Sequence, residues 1–196
     1  MAGLQQKWDA RYADPSGLDN SPSTLLVENK HLIPRAGYVL DLACGLGANA
    51  LYLARLGLSV TAWDLSPVAI NRLQEEAKSQ GIKLTAEVRD LQLVSLPEDR
   101  FDLIFVGNFL ERSLCSQIER ALRPNGLLFY QTWVVDKASE EGPANPDYLL
   151  EENELLRLFP HLRVRYFRDE GRLGDLDQGN RNHSVLIAQR DSMKSA

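Results

Sequence analysis

Short apolar runs alternate with amphipathic segments along most of this chain. Residues 38–43 and 58–63 are rich in β-branched and aromatic side chains, which predicts two strands. Between them, residues 48–56 have apolar positions at helical spacing, and Gly57 follows as a helix-ending residue. The Ser-Pro pair at 66–67 predicts another helix, because serine caps helix N-termini and proline is favoured at the first helical position.

The alternation continues through the middle of the chain and then changes. Further strands are predicted over residues 83–89, 101–106 and 127–134, and a further helix over 111–122. Strands and helices in this order predict a parallel sheet with helices on both faces. In the last third, a helix predicted at 152–159 precedes two strands, 163–168 and 184–189, which a polar loop joins without a helix. These two strands predict an antiparallel hairpin at one edge of the sheet.

The predicted fold is therefore α/β, a doubly wound, mostly parallel, seven-stranded Rossmann-like sheet with an antiparallel edge hairpin. A length of 196 residues fits a single domain. We expect that domain to cover residues 1–196, with an N-terminal lid and helix region at 1–33 and a core at 34–196. Hydrophobic residues make up 44% of the chain, which is enough for a sizeable buried core.

Charge and cysteine content argue against several classes of protein. The formal net charge is −5, whereas proteins that grip duplex nucleic acid usually present a basic face. Cys44 and Cys115 form no CxxC or Cys/His pair, so we expect neither a disulfide scaffold nor a metal site. The N-terminus lacks the apolar run of a signal peptide, and no stretch reaches the roughly 20 apolar residues that cross a bilayer. We therefore expect a cytoplasmic protein without nucleic-acid or membrane partners, and the oligomeric state stays open.

A glycine loop carries the main candidate chemistry. In V-L-D-L-A-C-G-L-G-A-N, Asp41 lies at the end of the first predicted strand, and Gly45 and Gly47 make a tight turn into a helix. Glycine lets a ligand approach the backbone closely, and a helix N-terminus offers free N–H groups. Asp64 and Asp90 end the next two predicted strands. Ligands bind at such strand ends, where an acid can accept hydrogen bonds from ribose hydroxyls.

The same loop also fits the dinucleotide pattern GxGxxA over residues 45–50, which leaves an NAD-dependent reductase open. Two features disfavour that alternative. Asp41 stands four residues before the first glycine, where its charge repels a pyrophosphate but attracts a cationic amino-acid group. No tyrosine begins the Tyr-x-x-x-Lys pair of short-chain reductases.

The segment D-L-A-C-G-L-G at residues 41–47 resembles motif I of the class I S-adenosylmethionine-dependent methyltransferases. Asp64 and Asp90 match the second-strand and third-strand acids of that family, and the closing hairpin matches its sheet edge. The resemblance covers nearly the whole chain and is closest to the small branch of tellurite-resistance and thiopurine-type methyltransferases. Ala48 stands where members often carry an arginine, so any role of that arginine is absent. The segments that carry the closer likeness are W-D-A-R-Y at 8–12, S-P-S-T-L-L-V-E-N at 21–29, C-G-L-G-A-N-A at 44–50 and N-P-D-Y-L-L-E-E-N-E-L-L at 145–156.

This resemblance implies S-adenosylmethionine as the cofactor and assigns its contacts. The methionine end would lie on the glycine loop and the ribose on the second-strand acid. Adenine would lie beside the third-strand acid, the methyl group beyond the fourth strand, and the carboxylate near an N-terminal arginine. The resemblance assigns the methionine end to Asp41, Gly45 and Gly47, and the ribose to Asp64. It assigns adenine to Leu65, Asp90 and Leu91. It assigns the methyl group to Asn108 and Phe109, and the carboxylate to Arg11.

The acceptor is predicted to be a small molecule. The fourth predicted strand is followed by neither an N-P-P-Y-type tetrapeptide nor a Pro-Cys pair, as nucleic-acid methyltransferases would carry. Positive side chains in the last hairpin could hold an anionic acceptor such as a tellurium or selenium oxyanion, and a thiol is the other acceptor considered. The candidate catalytic residues are Asn108, Arg181 and His183, although this loop also fits a solvated charged surface. A non-catalytic S-adenosylmethionine-binding regulator is the alternative from another functional class.

Overall fold

The structure is a computed structural model that describes residues 2–14, 16, 18–93 and 95–192. Within those residues the strands are β1 Tyr38–Leu42, β2 Ser59–Asp64, β3 Thr85–Val88, β4 Phe101–Gly107, β5 Leu122–Trp133, β6 Leu162–Arg168 and β7 His183–Arg190. The helices are α1 Ala2–Ala13, α2 Thr24–Glu28, α3 Ala48–Arg55, α4 Pro67–Ser79, α5 Cys115–Ala121 and α6 Glu154–Leu158. The strand order β3-β2-β1-β4-β5-β7-β6 confirms the predicted seven-stranded, Rossmann-like α/β sheet.

The chain divides into two compact units. The first unit runs to Ser95 and includes Phe101–Phe105 of β4. The second unit comprises Leu96–Arg100 and the chain from Val106 onward. The expectation of one domain over residues 1–196 stays a prediction.

In the first unit, β1, β2 and β3 run parallel, as predicted. Asp41 of β1 pairs with Ala62 of β2, and Asp64 of β2 pairs with Val88 of β3. Apolar side chains of these strands form the core beneath them, and Leu40 is completely buried in it. Because neighbouring parallel strands end at the same edge, the carboxyl ends of β1, β2 and β3 share one edge of the sheet.

Helix α4 begins where the sequence predicts. The Ser66 Oγ accepts a hydrogen bond from the Ala69 backbone N–H at 3.2 Å, and Pro67 is the first helical residue. A serine cap of this kind stabilises a helix by about 1 kcal/mol. The buried side chains of the helix, at the spacing of a single face, are Ala69, Ile70, Leu73 and Ala77.

The second unit contains the antiparallel part of the sheet. β5 and β6 flank β7 and run antiparallel to it, and Trp133 of β5 lies opposite His183 of β7. The register of β6 shifts between Val164 and Tyr166. This arrangement confirms the predicted antiparallel hairpin at the edge of the sheet.

Residues 21–33, within the N-terminal helix region predicted at 1–33, form only a short helix in the structure. α2 begins at Thr24 because Ser23 caps it, its hydroxyl accepting from the Leu25 backbone N–H at 3.1 Å. The Asn29 side chain then donates to the Leu25 carbonyl at 3.0 Å, and the chain continues as a single 3-10 turn over Lys30–Leu32. The local serine and asparagine hydrogen bonds thus replace the continued helix.

Two further elements differ from the sequence prediction. β5 begins at Leu122, before the strand predicted at 127–134, and Asn125 within it has a left-handed φ of 67°. The helix α1 is not predicted at all, because its few apolar residues follow no helical period. None of the described helices is long and apolar enough to cross a membrane.

Candidate active site

The loop between β1 and α3 makes a left-handed turn at its two glycines. Gly45 and Gly47 both lie in the left-handed region, with φ values of 53° and 80°. The Gly47 N–H donates to the Cys44 carbonyl at 3.0 Å, which closes the turn. A Cβ on Gly47 would lie 2.3 Å from Cδ1 of Leu73 in α4. Packing and conformation therefore both require glycine at position 47.

Asp64 at the end of β2 holds this loop in place. One of its carboxylate oxygens, Oδ2, accepts from the Gly45 N–H at 2.8 Å, and Oδ1 accepts from the Ser66 N–H at 2.9 Å. The residue is only 6% exposed, and burial raises the pKa of its carboxyl. Each carboxylate oxygen can accept a second hydrogen bond. Asp64 therefore joins the glycine loop to the start of α4 and keeps accepting capacity for a ligand.

Asp41 lies buried at the end of β1 with one oxygen unpaired. Its Oδ2 has no hydrogen-bond partner among the described residues. Burial raises the pKa of Asp41 to about 7, and a hydrogen bond from the Ala50 backbone opposes that shift. A buried carboxylate oxygen without a partner costs folding free energy. The unpaired Asp41 oxygen therefore fits a positively charged ligand group, which would supply the partner that the protein does not.

Helix α1 covers the glycine loop. The Tyr12 hydroxyl lies 3.0 Å from the position that a Cβ on Gly45 would take, and Trp8 stacks on Tyr12 with ring centroids 5.7 Å apart. Burial and the nearby Asp64 carboxylate raise the pKa of Tyr12. The aromatic pair thus forms a wall of the candidate site on the α1 side.

Polar contacts fix α1 against α4. The Ser66 Oγ donates to the Asp9 carboxylate, and the Arg72 guanidinium donates to the Ala13 carbonyl at 2.7 Å. The predicted cofactor contact Arg11 is exposed on this helix. Tyr12, its neighbour, is the α1 residue that reaches Gly45, so a contact of Arg11 with the cofactor stays a prediction.

The remaining predicted residues of the first unit lie after β2 and β3. Leu65 directly follows Asp64 and is half-buried, while Leu91 is 7% exposed. Asp90 lies two residues beyond Val88, and its Oδ1 accepts from the Gln92 N–H at 3.0 Å. The structure therefore joins Asp64 to Gly45 by a hydrogen bond, places Asp41 close enough for the Asp64 carboxylate to raise its pKa, and places Asp90 at the neighbouring strand end.

In the second unit, His183 and Asn108 form a pair. The His183 Nε2 lies 3.0 Å from the Asn108 Oδ1. Asn108 has a left-handed φ of 55°, and its backbone N–H donates to the Gln131 carbonyl at 2.9 Å. Phe109, the next residue, accepts a hydrogen bond at its carbonyl from the Tyr130 hydroxyl at 2.9 Å. The loop after β4 is therefore held in a defined conformation.

The His183 ring packs on Trp133 of β5. The ring centroids are 4.1 Å apart at an angle of 40°. Burial lowers the pKa of His183 to about 4, so the imidazole is neutral at pH 7. Gly142 packs against the indole, where a Cβ would lie 2.4 Å from a ring atom. Two candidate residues, Asn108 and His183, thus meet beside an aromatic side chain.

The third catalytic candidate, Arg181, lies apart from that pair. Its guanidinium donates to the carbonyls of Leu173 at 2.6 Å and Asp175 at 2.5 Å, and to those of Gly171 and Gln178. These contacts place Arg181 inside the loop that joins β6 to β7, where it braces the backbone. A role for Arg181 toward an acceptor stays a prediction.

Comparison with known proteins shows which proteins this chain resembles. Residues 39–126 match the family model described as a methyltransferase domain. Over 151 residues, or 73% of this chain, it is 28% identical to a probable S-adenosyl-L-methionine-dependent methyltransferase, TehB, from Haemophilus influenzae. Over these residues the chain is similar to class I S-adenosylmethionine-dependent methyltransferases. It is also 27% identical over 139 residues, 67% of its length, to a ubiquinone biosynthesis O-methyltransferase from Coxiella burnetii. The aligned region spans 52% of the first relative and 59% of the second.

Solved structures agree on the fold. A protein studied for the conversion of a disulfide bond into a thioacetal group during echinomycin biosynthesis superposes with a TM-score of 0.74 at 24% identity, covering 98% of this chain and 94% of its own. TehB from Haemophilus influenzae superposes with a TM-score of 0.68 at 21% identity, covering 85% of this chain and 61% of its own. At these identities the likeness concerns the fold alone.

The first unit has features that suit S-adenosylmethionine, the cofactor named for the TehB relative. The unpaired Asp41 oxygen suits the positive charge of an ammonium or sulfonium group. The Asp64 carboxylate retains lone pairs that two ribose hydroxyls could use. At Gly45 the position of a Cβ lies against the hydroxyl and ring of Tyr12 in α1, so this aromatic side chain borders the glycine loop.

The sequence pattern singled out the candidate acids and glycines but not the contacts that hold them in place. Asp9 and Ser66 connect α1 to α4, although 57 positions separate them in the chain. The W-D-A-R-Y segment marks this region as part of the site. It does not say that Tyr12, rather than Arg11, faces the loop.

Proposed function

We propose that this protein transfers the methyl group of S-adenosylmethionine to a small-molecule acceptor. The observation that carries the proposal is the unpaired Asp41 oxygen, buried beside the glycine loop that Asp64 holds. The nearby Asp64 carboxylate raises the energetic cost of ionising Asp41. A ligand that carries two cationic groups relieves this cost. A pyrophosphate would add negative charge at the same place.

The residues of the first unit bind and orient rather than react. When bound, the cofactor supplies a methyl group already activated on a sulfonium sulfur, so the protein's task is alignment and exclusion of water. Asp64 and the Gly45 backbone would hold the ribose and the methionine end. Tyr12 and Trp8 of α1 would cover them from solvent.

For the acceptor, the structure favours a thiol over an oxyanion. An oxyanion needs free positive side chains, and those of the β6–β7 loop are engaged. Arg168 pairs with Glu170, Arg172 donates to the Lys137 carbonyl at 3.1 Å, and Arg181 donates to loop carbonyls. We therefore place the acceptor beside Asn108 and His183 rather than on the arginines.

Thermal unfolding with different cofactors tests the proposal. S-adenosylmethionine, or its demethylated product, should stabilise the fold, by about 2.7 kcal/mol at 100 times the dissociation constant. NAD should not, and equal stabilisation by NAD would favour a reductase. An acceptor screen with thiols, phenols and selenite then measures turnover. Cofactor binding without turnover on any acceptor is the result expected of a non-catalytic regulator.

A further inference from the structure

The charge around the second-unit pair is negative rather than positive. Residues 136–143 contain three acids and one lysine, and residues 168–183 contain four acids and three arginines. Lys137 Nζ donates to the carbonyls of Glu141 at 2.7 Å and Pro143 at 3.0 Å. The carboxylate oxygen Oδ2 of Asp169 is buried without a hydrogen-bond partner among the described residues. An anionic ligand would therefore meet more acids than bases in these two segments, and Lys137 is held by backbone carbonyls.

The Asn108–His183 contact selects one form of the imidazole. The Asn108 Oδ1 can only accept, so the His183 Nε2 carries the proton and donates to it at 3.0 Å. In the neutral ring the other nitrogen, Nδ1, then has a lone pair and can only accept. Within the described chain, no side chain or backbone N–H donates to Nδ1. Burial keeps the ring neutral, with a pKa of about 4 and no charged neighbour contributing.

We propose that His183 is a specificity residue, which accepts a hydrogen bond at Nδ1 from an uncharged acceptor carrying an S–H or O–H group. The inference rests on the proposed function and narrows its substrate class to neutral acceptors with a proton on the nucleophilic atom. Trp133 supplies the apolar surface beside the ring, and Asn108 fixes the tautomer. An oxyanion would add negative charge next to segments that already carry more acids than bases.

Three probes test this inference on the protein saturated with the demethylated cofactor. 2-Mercaptoethanol is a neutral thiol, 2-mercaptoacetate is the same thiol with a carboxylate, and selenite is an oxyanion. Nitrogen NMR of histidine-labelled protein reports the state of the His183 ring, and His161→Gln and His31→Gln variants assign the other two histidines. We expect 2-mercaptoethanol to shift the Nδ1 resonance of His183 and to bind more tightly than 2-mercaptoacetate or selenite. Selenite that binds as tightly as the neutral thiol, or an unperturbed Nδ1 with both thiols, overturns the inference.

Two substitutions of His183 distinguish the role of Nδ1 from that of Nε2. The amide of His183→Asn can place its oxygen near the position of Nδ1, whereas the amide of His183→Gln can only replace Nε2. If Nδ1 accepts from the ligand, 2-mercaptoethanol should bind about 2- to 10-fold more weakly to the glutamine variant, and less so to the asparagine variant. Equal losses in both variants contradict the assignment to Nδ1. Failure of the protein to bind any form of the cofactor instead contradicts the proposed function and is measured separately.

Discussion

The Asp64 carboxylate accepts a hydrogen bond from the Gly45 backbone N–H at 2.8 Å, across the space where the cofactor of this family is expected. The same carboxylate accepts from the Ser66 N–H at 2.9 Å. One side chain therefore shapes the glycine loop, the start of α4 and the proposed ribose site. Substitution of Asp64 must act on the fold and on cofactor binding together.

We expect Asp64→Ala to weaken cofactor binding by roughly 10- to 150-fold, because hydrogen bonds to a charged group contribute about 1.5–3 kcal/mol. It should also lower the free energy of unfolding, since the Gly45 and Ser66 N–H groups lose their acceptor. Calorimetric titration and chemical denaturation measure the two effects. Asp90→Ala is the matched control, because the Asp90 carboxylate accepts only from the Gln92 N–H in the structure. It should weaken binding with little loss of stability. An unchanged affinity in Asp64→Ala would place the ribose elsewhere.

Asp41→Asn should stabilise the protein without ligand and weaken cofactor binding. The pKa of Asp41 is raised from 3.8 to about 7, so the folded state holds a proton that the unfolded state releases. Its contribution to stability is present below pH 3.8 and is lost as pH rises to about 7, by roughly 1.4 kcal/mol per pH unit. The asparagine variant lacks this titration. Its advantage over the wild type in unfolding free energy should therefore be largest at pH 8.

Chemical denaturation of both proteins at pH 5, 6, 7 and 8 measures that difference. Because a cationic ligand favours the ionised carboxylate, cofactor binding near pH 7 should also release a proton from the wild type. Calorimetry in buffers of different ionisation enthalpy detects the release. Parallel stability curves for the two proteins contradict the titration of Asp41 in this range.

The sequence predicted the acids and glycines of the site because each occupies a position defined by local pattern. Asp41, Asp64 and Asp90 lie at or just beyond strand ends, and Gly45 and Gly47 lie in the turn between a strand and a helix. Hydrophobic alternation identifies such positions without any tertiary information. The same reasoning placed the cap of α4 at Ser66.

The parts that could not be predicted depend on contacts between distant residues. Whether Arg181 is free depends on the path of a loop whose carbonyls at 171, 173, 175 and 178 turn toward it. The role of Tyr12 depends on the docking of α1 through Asp9 and Ser66. No local pattern in the sequence encodes either arrangement.

Ser66→Ala should release α1 as well as weaken α4. The serine hydroxyl accepts from the Ala69 N–H and donates to the Asp9 carboxylate, so its loss removes a helix cap and the link to α1. We expect a loss of about 1 kcal/mol in unfolding free energy. Amide exchange in residues 2–13 should become faster. Asp9→Asn keeps the cap and separates the two effects, with exchange in α1 affected and α4 little changed. If exchange in α1 is the same in all three proteins, other contacts hold the helix.

Arg181→Ala should loosen the β6–β7 loop and leave cofactor affinity unchanged. The guanidinium donates to the carbonyls of residues 171, 173, 175 and 178, and a lysine cannot reproduce this fork of donors. We therefore expect faster amide exchange and easier proteolysis in that loop for both Arg181→Ala and Arg181→Lys. Arg172→Ala is the matched control, because the Arg172 guanidinium donates only to the Lys137 carbonyl in the structure. Lost turnover in Arg181→Ala with a protected, unchanged loop would instead assign Arg181 to the acceptor.

Asn108→Asp should raise the pKa of His183 from its value of about 4. A carboxylate in place of the amide, 3.0 Å from Nε2, favours the imidazolium. In the wild type the folded state resists protonation that the unfolded state accepts at 6.5, so this residue's contribution to stability is present above pH 6.5 and is lost as pH falls toward 4. The aspartate variant should lose less stability over that range, and an NMR titration of the His183 ring should give a midpoint above the wild-type value.

Asn108→Leu, which removes the acceptor without adding charge, should not raise the midpoint. Equal midpoints in the aspartate and leucine variants would show that the two side chains are not in contact in solution.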